Sequence, residues 1–171
     1  MVIWLVGLSG SGKSTIGKAL YQRIKSVNPA TVFIDGDEIR EIFHHNDAAR
    51  DYSVQGRRIS AERMHALCGW LDLQGINVVC CVISMFPDVV AMNRDKFTDF
   101  YEIFIDVDIN VLISRDNKNL YHSVLKGIVK NVVGMDIPYN VPSNPDMVIK
   151  NSFNLDDVVS YVDGINNMVT K

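Results

Sequence analysis

The sequence predicts an α/β fold built on a five-stranded parallel sheet, and two observations carry that prediction. Short apolar, β-branched runs recur at 2–6, 31–34, 78–83, 103–107 and 147–149, with helical patterns or loops between successive runs. Such alternation marks parallel strands joined by crossover helices. The first run passes directly into Gly7-Leu8-Ser9-Gly10-Ser11-Gly12-Lys13-Ser14. These residues meet the G-x-x-x-x-G-K-[ST] pattern between a strand and a helix, the setting that the pattern requires. Together the two observations specify a P-loop NTPase-type three-layer αβα sandwich. A chain of 171 residues is expected to form a single domain over 1–171, with a lid segment at about 117–145.

Each element follows from local pattern. Residues 1–7 are apolar, carry no basic flank and run straight into the glycine-rich turn. They read as the first strand and not as a signal peptide, so the expected location is the cytoplasm. The first helix starts inside the turn and carries Ile16, Leu20 and Ile24 inward at a spacing of four. The second strand ends in Ile34-Asp35-Gly36-Asp37-Glu38-Ile39-Arg40. A long helix is predicted from about 53 to 73, with Leu67, Trp70 and Leu71 on its inner face and Gly75 as its stop. The third strand holds Cys80 and Cys81, and with Cys68 these are read as reduced core thiols, because no metal or redox spacing joins them. Between 117 and 145, Lys118, Lys126 and Lys130 interleave with Gly127, Gly134 and three prolines, too irregular for a core element and suited to a lid. The last helix opens at Asn154 as its cap and sets Leu155, Val158, Val159, Val162, Ile165 and Met168 on an inward stripe.

Charge and composition exclude several partners. Lys and Arg number 17 against 20 Asp and Glu, a net charge of −3, so no broad positive field exists to attract nucleic acid or anionic lipid. No run approaches the roughly 18 consecutive apolar residues of a membrane helix. An anionic ligand must therefore be held by a local site. His44, His45, His65 and His122 have no metal-ligand spacing with a third candidate.

The glycine-rich turn is that local site. Gly7, Gly10 and Gly12 let the backbone wrap phosphate oxygens, so that N–H groups over Ser9, Ser11 and the helix start at Ser14 and Thr15 face the anion. Lys13 reaches the β- and γ-phosphates, and the Ser14 hydroxyl serves Mg²⁺. The plain alternative is a Gly/Ser turn that merely starts a helix. A GTPase is disfavoured, since Asp72-Leu73-Gln74-Gly75 precedes its strand and Asn117-Lys118-Asn119-Leu120 lacks the guanine-reading Asp. Asp35, Asp37 and Arg40 lie at the carboxyl edge of the sheet, where open α/β folds bind ligands. Asp37 there either deprotonates an acceptor hydroxyl or holds Mg²⁺ through water, and Arg40 clamps an acceptor phosphate. Read plainly, Asp37 is the N-cap of an Asp-Gly turn.

With those residues in hand, the chain resembles the adenylylsulfate kinase family over most of its length. The likeness rests on the G-L-S-G start at Gly7–Gly10, on Tyr52-Ser53 with Arg57, on Ile83-Ser84, on Arg115-Asp116 and on Lys118-Asn119-Leu120-Tyr121. It continues through Gly134-Met135-Asp136-Ile137-Pro138-Tyr139-Asn140-Val141-Pro142. The resemblance implies transfer of the γ-phosphate of ATP to the ribose 3′-hydroxyl of a nucleotide, with Mg²⁺ on Ser14 and with Asp35 as a second candidate ligand. It implies a catalytic set of Asp37, Lys13 and Lys118, with Arg115 beside the ATP base. It implies Arg40 and Arg57 on the acceptor's phosphates, with Asp35, Tyr52, Ser60, Ile83, Ser84 and Val132 lining the acceptor site. It also implies a homodimer. The plain readings are a solvated helix face for Arg57 and Arg58, an acid partner for Arg115, and one lid charge among several for Lys118.

Departures from the family pattern cluster on the acceptor side. Ser60 stands where the family has an Asn against adenine, Met85-Phe86-Pro87 replaces P-Y-R after Ile83-Ser84, and Val132 replaces a Phe that stacks on adenine. Losing a stacking face and an amide removes roughly 1–3 kcal/mol of base stacking and a hydrogen bond. A different base is expected, and cytidine 5′-diphosphoramidate, the acceptor of capsule-pathway kinases related to this family, is favoured over adenylylsulfate. A kinase of a non-nucleotide metabolite, such as a sugar acid or a shikimate-like alcohol, stays open. So does an ATP-binding module that transfers nothing.

Overall fold

The structure is a computed structural model that describes residues 1–43, 52–116 and 118–170. His44, His45 and Asn117 lie outside the described residues. Strands β1 (Val2–Val6), β2 (Thr31–Asp35), β3 (Asn77–Val82), β4 (Phe100–Asp106) and β5 (Met147–Lys150) form one sheet in the order β2-β3-β1-β4-β5. Every pairing is parallel. The helices described are α1 (Lys13–Val27), α2 (Gly36–Ile42), α3 (Val54–Asp72), α4 (Pro87–Lys96), α5 (Ile109–Arg115), α6 (Leu120–Leu125) and α7 (Leu155–Val169).

Alternation along the central strand builds both cores. Ile3 and Leu5 of β1 face α1 and α7, meeting Ile16, Leu20, Ile24, Val162 and Ile165. Val2, Trp4 and Val6 face the other way, onto Met64 and Cys68 of α3 and onto Phe97. Each fully buried aliphatic side chain contributes about 1.5–3 kcal/mol. The three layers of the predicted sandwich are thus present. A third cluster of Leu8, Met85, Leu112, Tyr121, Val132, Val133 and Ile137 joins the glycine-rich turn to the segment after α6 at the carboxyl end of the sheet. The strand order reverses about β1, and the crevice of such a sheet opens at that point.

Two helical faces differ from the expectation. Trp70 is 61% exposed, while Met64, Cys68 and Gly69 form the inner line of α3 and Leu67 and Leu71 flank it. Trp70 stands two residues, about 200°, from Cys68 on the helix, so it points away from the sheet. Gly69 lets Phe97 come close, since a Cβ there would lie 3.2 Å from that ring. On α7, Leu155 and Val159 are exposed, and the buried stripe narrows to Val162 and Ile165 with Val158, Met168 and Val169 beside them. The helix covers the sheet edge along one line, next to α1, and has nothing on its outer flank among the described residues. The helix ends follow the predicted chemistry. Gly75 has φ +71°, with Ile76 N–H bonded to Leu71 O, and the Asn154 side chain accepts from Asp156 N–H at 3.1 Å.

Candidate active site

The carboxyl edge of the sheet surrounds a cavity of about 960 Å³. Its floor is the turn between β1 and α1. Gly10 and Gly12 take φ +76° and +98°, conformations open to glycine and strained for side chains bearing a Cβ. Lys13 is half-buried, and its Nζ donates to Leu8 O at 2.7 Å. Burial pushes its pKa down to about 8, against the pull of Cys81, Asp37 and Asp35. Ser14 Oγ donates to Asp35 Oδ2 at 2.6 Å, so the end of β2 is tied to the start of α1.

Asp35, not Asp37, caps α2: its Oδ1 accepts the Asp37 N–H at 3.0 Å. The capping role that a plain reading gives Asp37 is therefore filled by its neighbour. The Asp37 carboxylate faces Lys118 Nζ across 3.4 Å, with both side chains largely exposed. Behind it, the guanidinium carbons of Arg40 and Arg57 lie 5.2 and 5.4 Å from the centroid of the Tyr52 ring. Arg57 is only 8% exposed and does not lie on a solvated face. It donates to Tyr52 O at 3.0 Å and to Asn131 O at 2.8 Å. Burial, and then Arg40, lower its pKa to about 10, so it stays charged at neutral pH. Two adjacent cations beside a carboxylate suit an anionic ligand that also carries a hydroxyl.

On the opposite wall, Asp116 organises the start of α6. It accepts N–H bonds from Leu120, Tyr121 and His122 and a contact from the His122 ring. Burial disfavours its charge, but those donors outweigh burial and hold its pKa at about 2. The Tyr121 hydroxyl then donates to Ser9 O at 2.7 Å, linking α6 to the glycine-rich turn. Asn119 sits at φ +52°, a left-handed position that asparagine tolerates better than most residues.

A sequence profile of the adenylylsulphate kinase family matches residues 1–150. The chain belongs to the adenylylsulfate kinase family. It is 41% identical over 163 residues to the cytidine diphosphoramidate kinase of Campylobacter jejuni, covering 94% of this chain and 93% of that protein. It is 35% identical over 170 residues to the adenylyl-sulfate kinase of Clostridium kluyveri, covering 96% and 81%. Among solved structures, it matches the APS kinase CysC of Mycobacterium tuberculosis in complex with AMPPNP and APS. That match has a TM-score of 0.83 and 27% identity, covering 99% of this chain and 97% of the other. The protein is a kinase of this family, a phosphotransferase, with the P-loop α/β fold of its relatives.

Of the residues picked from sequence, Ser9, Gly10, Gly12, Lys13, Ser14, Thr15, Asp35, Asp37, Arg40, Tyr52, Arg57, Ser60, Ile83, Ser84, Arg115, Lys118 and Val132 line the one cavity. Gly7 and Ser11 do not line it. A Cβ on Gly7 would sit 2.6 Å from Ile105 O, so its glycine serves the close approach of β4. Ser11 is buried at 1% exposure, and its hydroxyl has no partner among the described residues. The Ser60 hydroxyl donates to Gly56 O at 3.0 Å. Val132 is buried in the third cluster. Arg115 has no acid partner among the described residues; its guanidinium carbon lies 3.9 Å from the Phe153 ring centroid. Sequence reasoning missed Asn151, whose Nδ2 donates to Ser11 O at 2.8 Å, and Phe153. Their only signal was an ordinary Asn-Ser-Phe-Asn loop, far along the chain from the turn that they touch. No group of His, Cys, Asp and Glu able to hold a metal by itself occurs among the described residues. No helix among them is long and apolar enough to cross a membrane.

Proposed function

We propose that this kinase transfers the γ-phosphoryl group of ATP to the ribose 3′-hydroxyl of cytidine 5′-diphosphoramidate, a capsule-precursor nucleotide. The observation that carries the reading is the 41% identity, over 94% of the chain, with a cytidine diphosphoramidate kinase, against 35% with an adenylyl-sulfate kinase. The acceptor wall supports it. Val132 packs in the third cluster at the cavity wall and, being aliphatic, offers no aromatic face for adenine. The Ser60 hydroxyl donates to Gly56 O and, being shorter than an amide side chain, offers no paired donor and acceptor to a base edge. Residues 1–171 act as one domain, with about 117–145 as the lid, in a cytoplasmic homodimer.

Donor phosphates would lie in the turn at residues 9–15, neutralised by Lys13. The Ser14 hydroxyl and the Asp35 carboxylate stand 2.6 Å apart, hard oxygen donors at the phosphate site, and they fit Mg²⁺, which takes few protein ligands beside phosphate and water. These two residues would hold the ion, which when bound supplies charge neutralisation at the β- and γ-oxygens. Arg40 and Arg57 would grip the acceptor's phosphates and present its 3′-hydroxyl to Asp37. Asp37 takes the hydroxyl proton as the 3′-oxygen bonds to the γ-phosphorus and the bridging bond to the β-phosphate breaks, releasing ADP. Lys118, ion-paired with Asp37, brings the lid over the reacting atoms and excludes water that would otherwise hydrolyse ATP.

The test is ADP release from Mg-ATP with cytidine diphosphoramidate, CDP, adenylylsulfate or no acceptor. Stimulation by the cytosine phosphoramidate well above the other arms is expected; stimulation by adenylylsulfate alone would assign the enzyme to that substrate. Asp37→Asn should lower kcat at least about a hundredfold with ATP affinity little changed, and a collapse of ATP affinity instead would make Asp37 a metal-site residue.

A further inference from the structure

We infer that Arg94 is a positioning residue that clamps the point at which the lid rejoins the sheet and, through the strap of chain before that point, sets the acceptor wall. The inference rests on the reading of about 117–145 as a lid over the acceptor site. Arg94 lies in the last turn of α4. Its guanidinium donates to both carboxylate oxygens of Asp146, at 3.3 and 3.0 Å, and to Asn144 O at 3.0 Å. Asp146 is bound to β4 as well: its Oδ2 accepts the Glu102 N–H at 2.7 Å, and its own N–H donates to Glu102 O at 2.9 Å. The same guanidinium stands 3.6 Å from the Glu102 carboxylate, which is only 4% exposed. A buried carboxylate is costly unless a cation faces it; burial raises the Glu102 pKa, and Arg94 opposes the rise. A planar fork serves Asp146, Asn144 O and Glu102 together, which the point charge of a lysine does not.

The clamp continues along the chain into the cavity wall. Tyr139 packs on Phe104 of β4, with ring centroids 6.4 Å apart. Asn140 Nδ2 donates to Met85 O at 2.9 Å, and Met85 lines the cavity. Further back, the Asp136 carboxylate accepts the N–H groups of Asn131 and Val132 at 2.6 Å each. Asn131 O in turn accepts from Arg57 at 2.8 Å, the buried cation assigned to the acceptor's phosphates. Residues 131–146 thus form a strap pinned to α4 and β4 at one end and joined to Arg57 at the other. Gly127 and Asn131 take φ +72° and +66° where this strap meets the part of the lid that carries Lys118. Hinges fall at such loop positions, which leaves 118–130 as the part that closes and 131–146 as the fixed edge against which it closes. Loosening the strap displaces Asn131 O and with it Arg57, so the acceptor is held less well. It also admits water to the closed site, where attack on the γ-phosphorus gives ADP and inorganic phosphate in place of phosphorylated acceptor.

The experiment compares Arg94→Lys, the double variant Arg94→Met with Glu102→Gln, and Glu102→Gln alone with the parent enzyme. The acceptor is whichever of cytidine diphosphoramidate and adenylylsulfate stimulates the parent, so a wrong base in the functional reading leaves the inference standing. The readouts are KM for acceptor and for ATP, kcat, the thermal midpoint, and the ADP released per phosphorylated acceptor formed. The double variant removes both charges together should the lysine variant fail to fold. Arg94→Lys and the double variant should raise acceptor KM about three- to tenfold with ATP KM within about twofold, and should release at least about 1.5 ADP per product where the parent releases about one. Glu102→Gln spares the Asp146 clamp and should keep the parent values. An acceptor KM or an ADP ratio that stays at the parent value while kcat falls would reduce Arg94 to support of the fold and overturn the inference. So would the same changes in Glu102→Gln, which would trace them to the buried charge and not to the clamp. If neither acceptor stimulates the parent enzyme, the lid reading fails and the inference falls with it.

Discussion

Lys13 combines a charge needed at the phosphates with a position that disfavours charge. Burial pulls its pKa from 10.5 to about 8, so in the free enzyme the ammonium is lost as pH rises through that value. Bound triphosphate favours the charged form and moves the titration upward. ATP affinity, followed from pH 6.5 to 9.5, should therefore fall above about pH 8, and a flat profile would contradict this. The stability term has the opposite sign. Between about 8 and 10.5 the unfolded chain binds more protons than the native one, so this group's penalty is full below that window and fades as pH rises through it. At this scale the Lys13 and Ser14 positions were plain from the spacing of the turn, because a backbone that wraps phosphate permits few residue choices. That Asp35 and not Asp37 caps α2 was not read from the sequence, because both stand at the turn and the cap falls to whichever carboxylate reaches a free N–H, here Asp35 on that of Asp37.

Among elements, α1 and α7 show how periodicity locates a face and neighbours set its width. The spacing of Ile16, Leu20 and Ile24 named the buried line of α1 correctly. It gave no hint that Gly17 is needed for contact with β3, where a Cβ would lie 2.4 Å from Cys81 Sγ. On α7 the six-residue stripe proved too wide, since only a neighbouring element buries a side chain and α7 has its neighbours on one side. Thermal and urea melts should separate these cases. Gly17→Ala should destabilise by about 1–3 kcal/mol through overpacking and Ile165→Ala by about 2–5 kcal/mol. Val159→Ala, at an exposed site, should stay within about 0.5 kcal/mol. A large loss at Val159 would mean that another surface covers it.

For the whole molecule, the sheet buries its thiols. Cys68, Cys80 and Cys81 are free and buried. Burial raises the Cys81 pKa to about 12 despite the opposing charge of Lys13, and burial together with Cys68 raises that of Cys80. With Cys80 and Cys81 held as thiols and all three side chains buried, native protein should show no fast-reacting cysteine toward an aromatic disulfide reagent, and all three should react on unfolding. A thiol consumed within seconds in the native state would refute the packing described.

The sequence by itself determined the layer order, the phosphate-binding turn and the family. Alternating strands and helices constrain topology, and a turn that must admit phosphate carries its requirement in contiguous residues. Tertiary structure alone decided how distant segments complete that turn. Tyr121 and Asn151 reach it from positions 112 and 140 residues away from their partners, and Phe153 reaches Arg115 from the loop after β5. Such contacts depend on where strand ends converge at the edge of a sheet, which no local periodicity records.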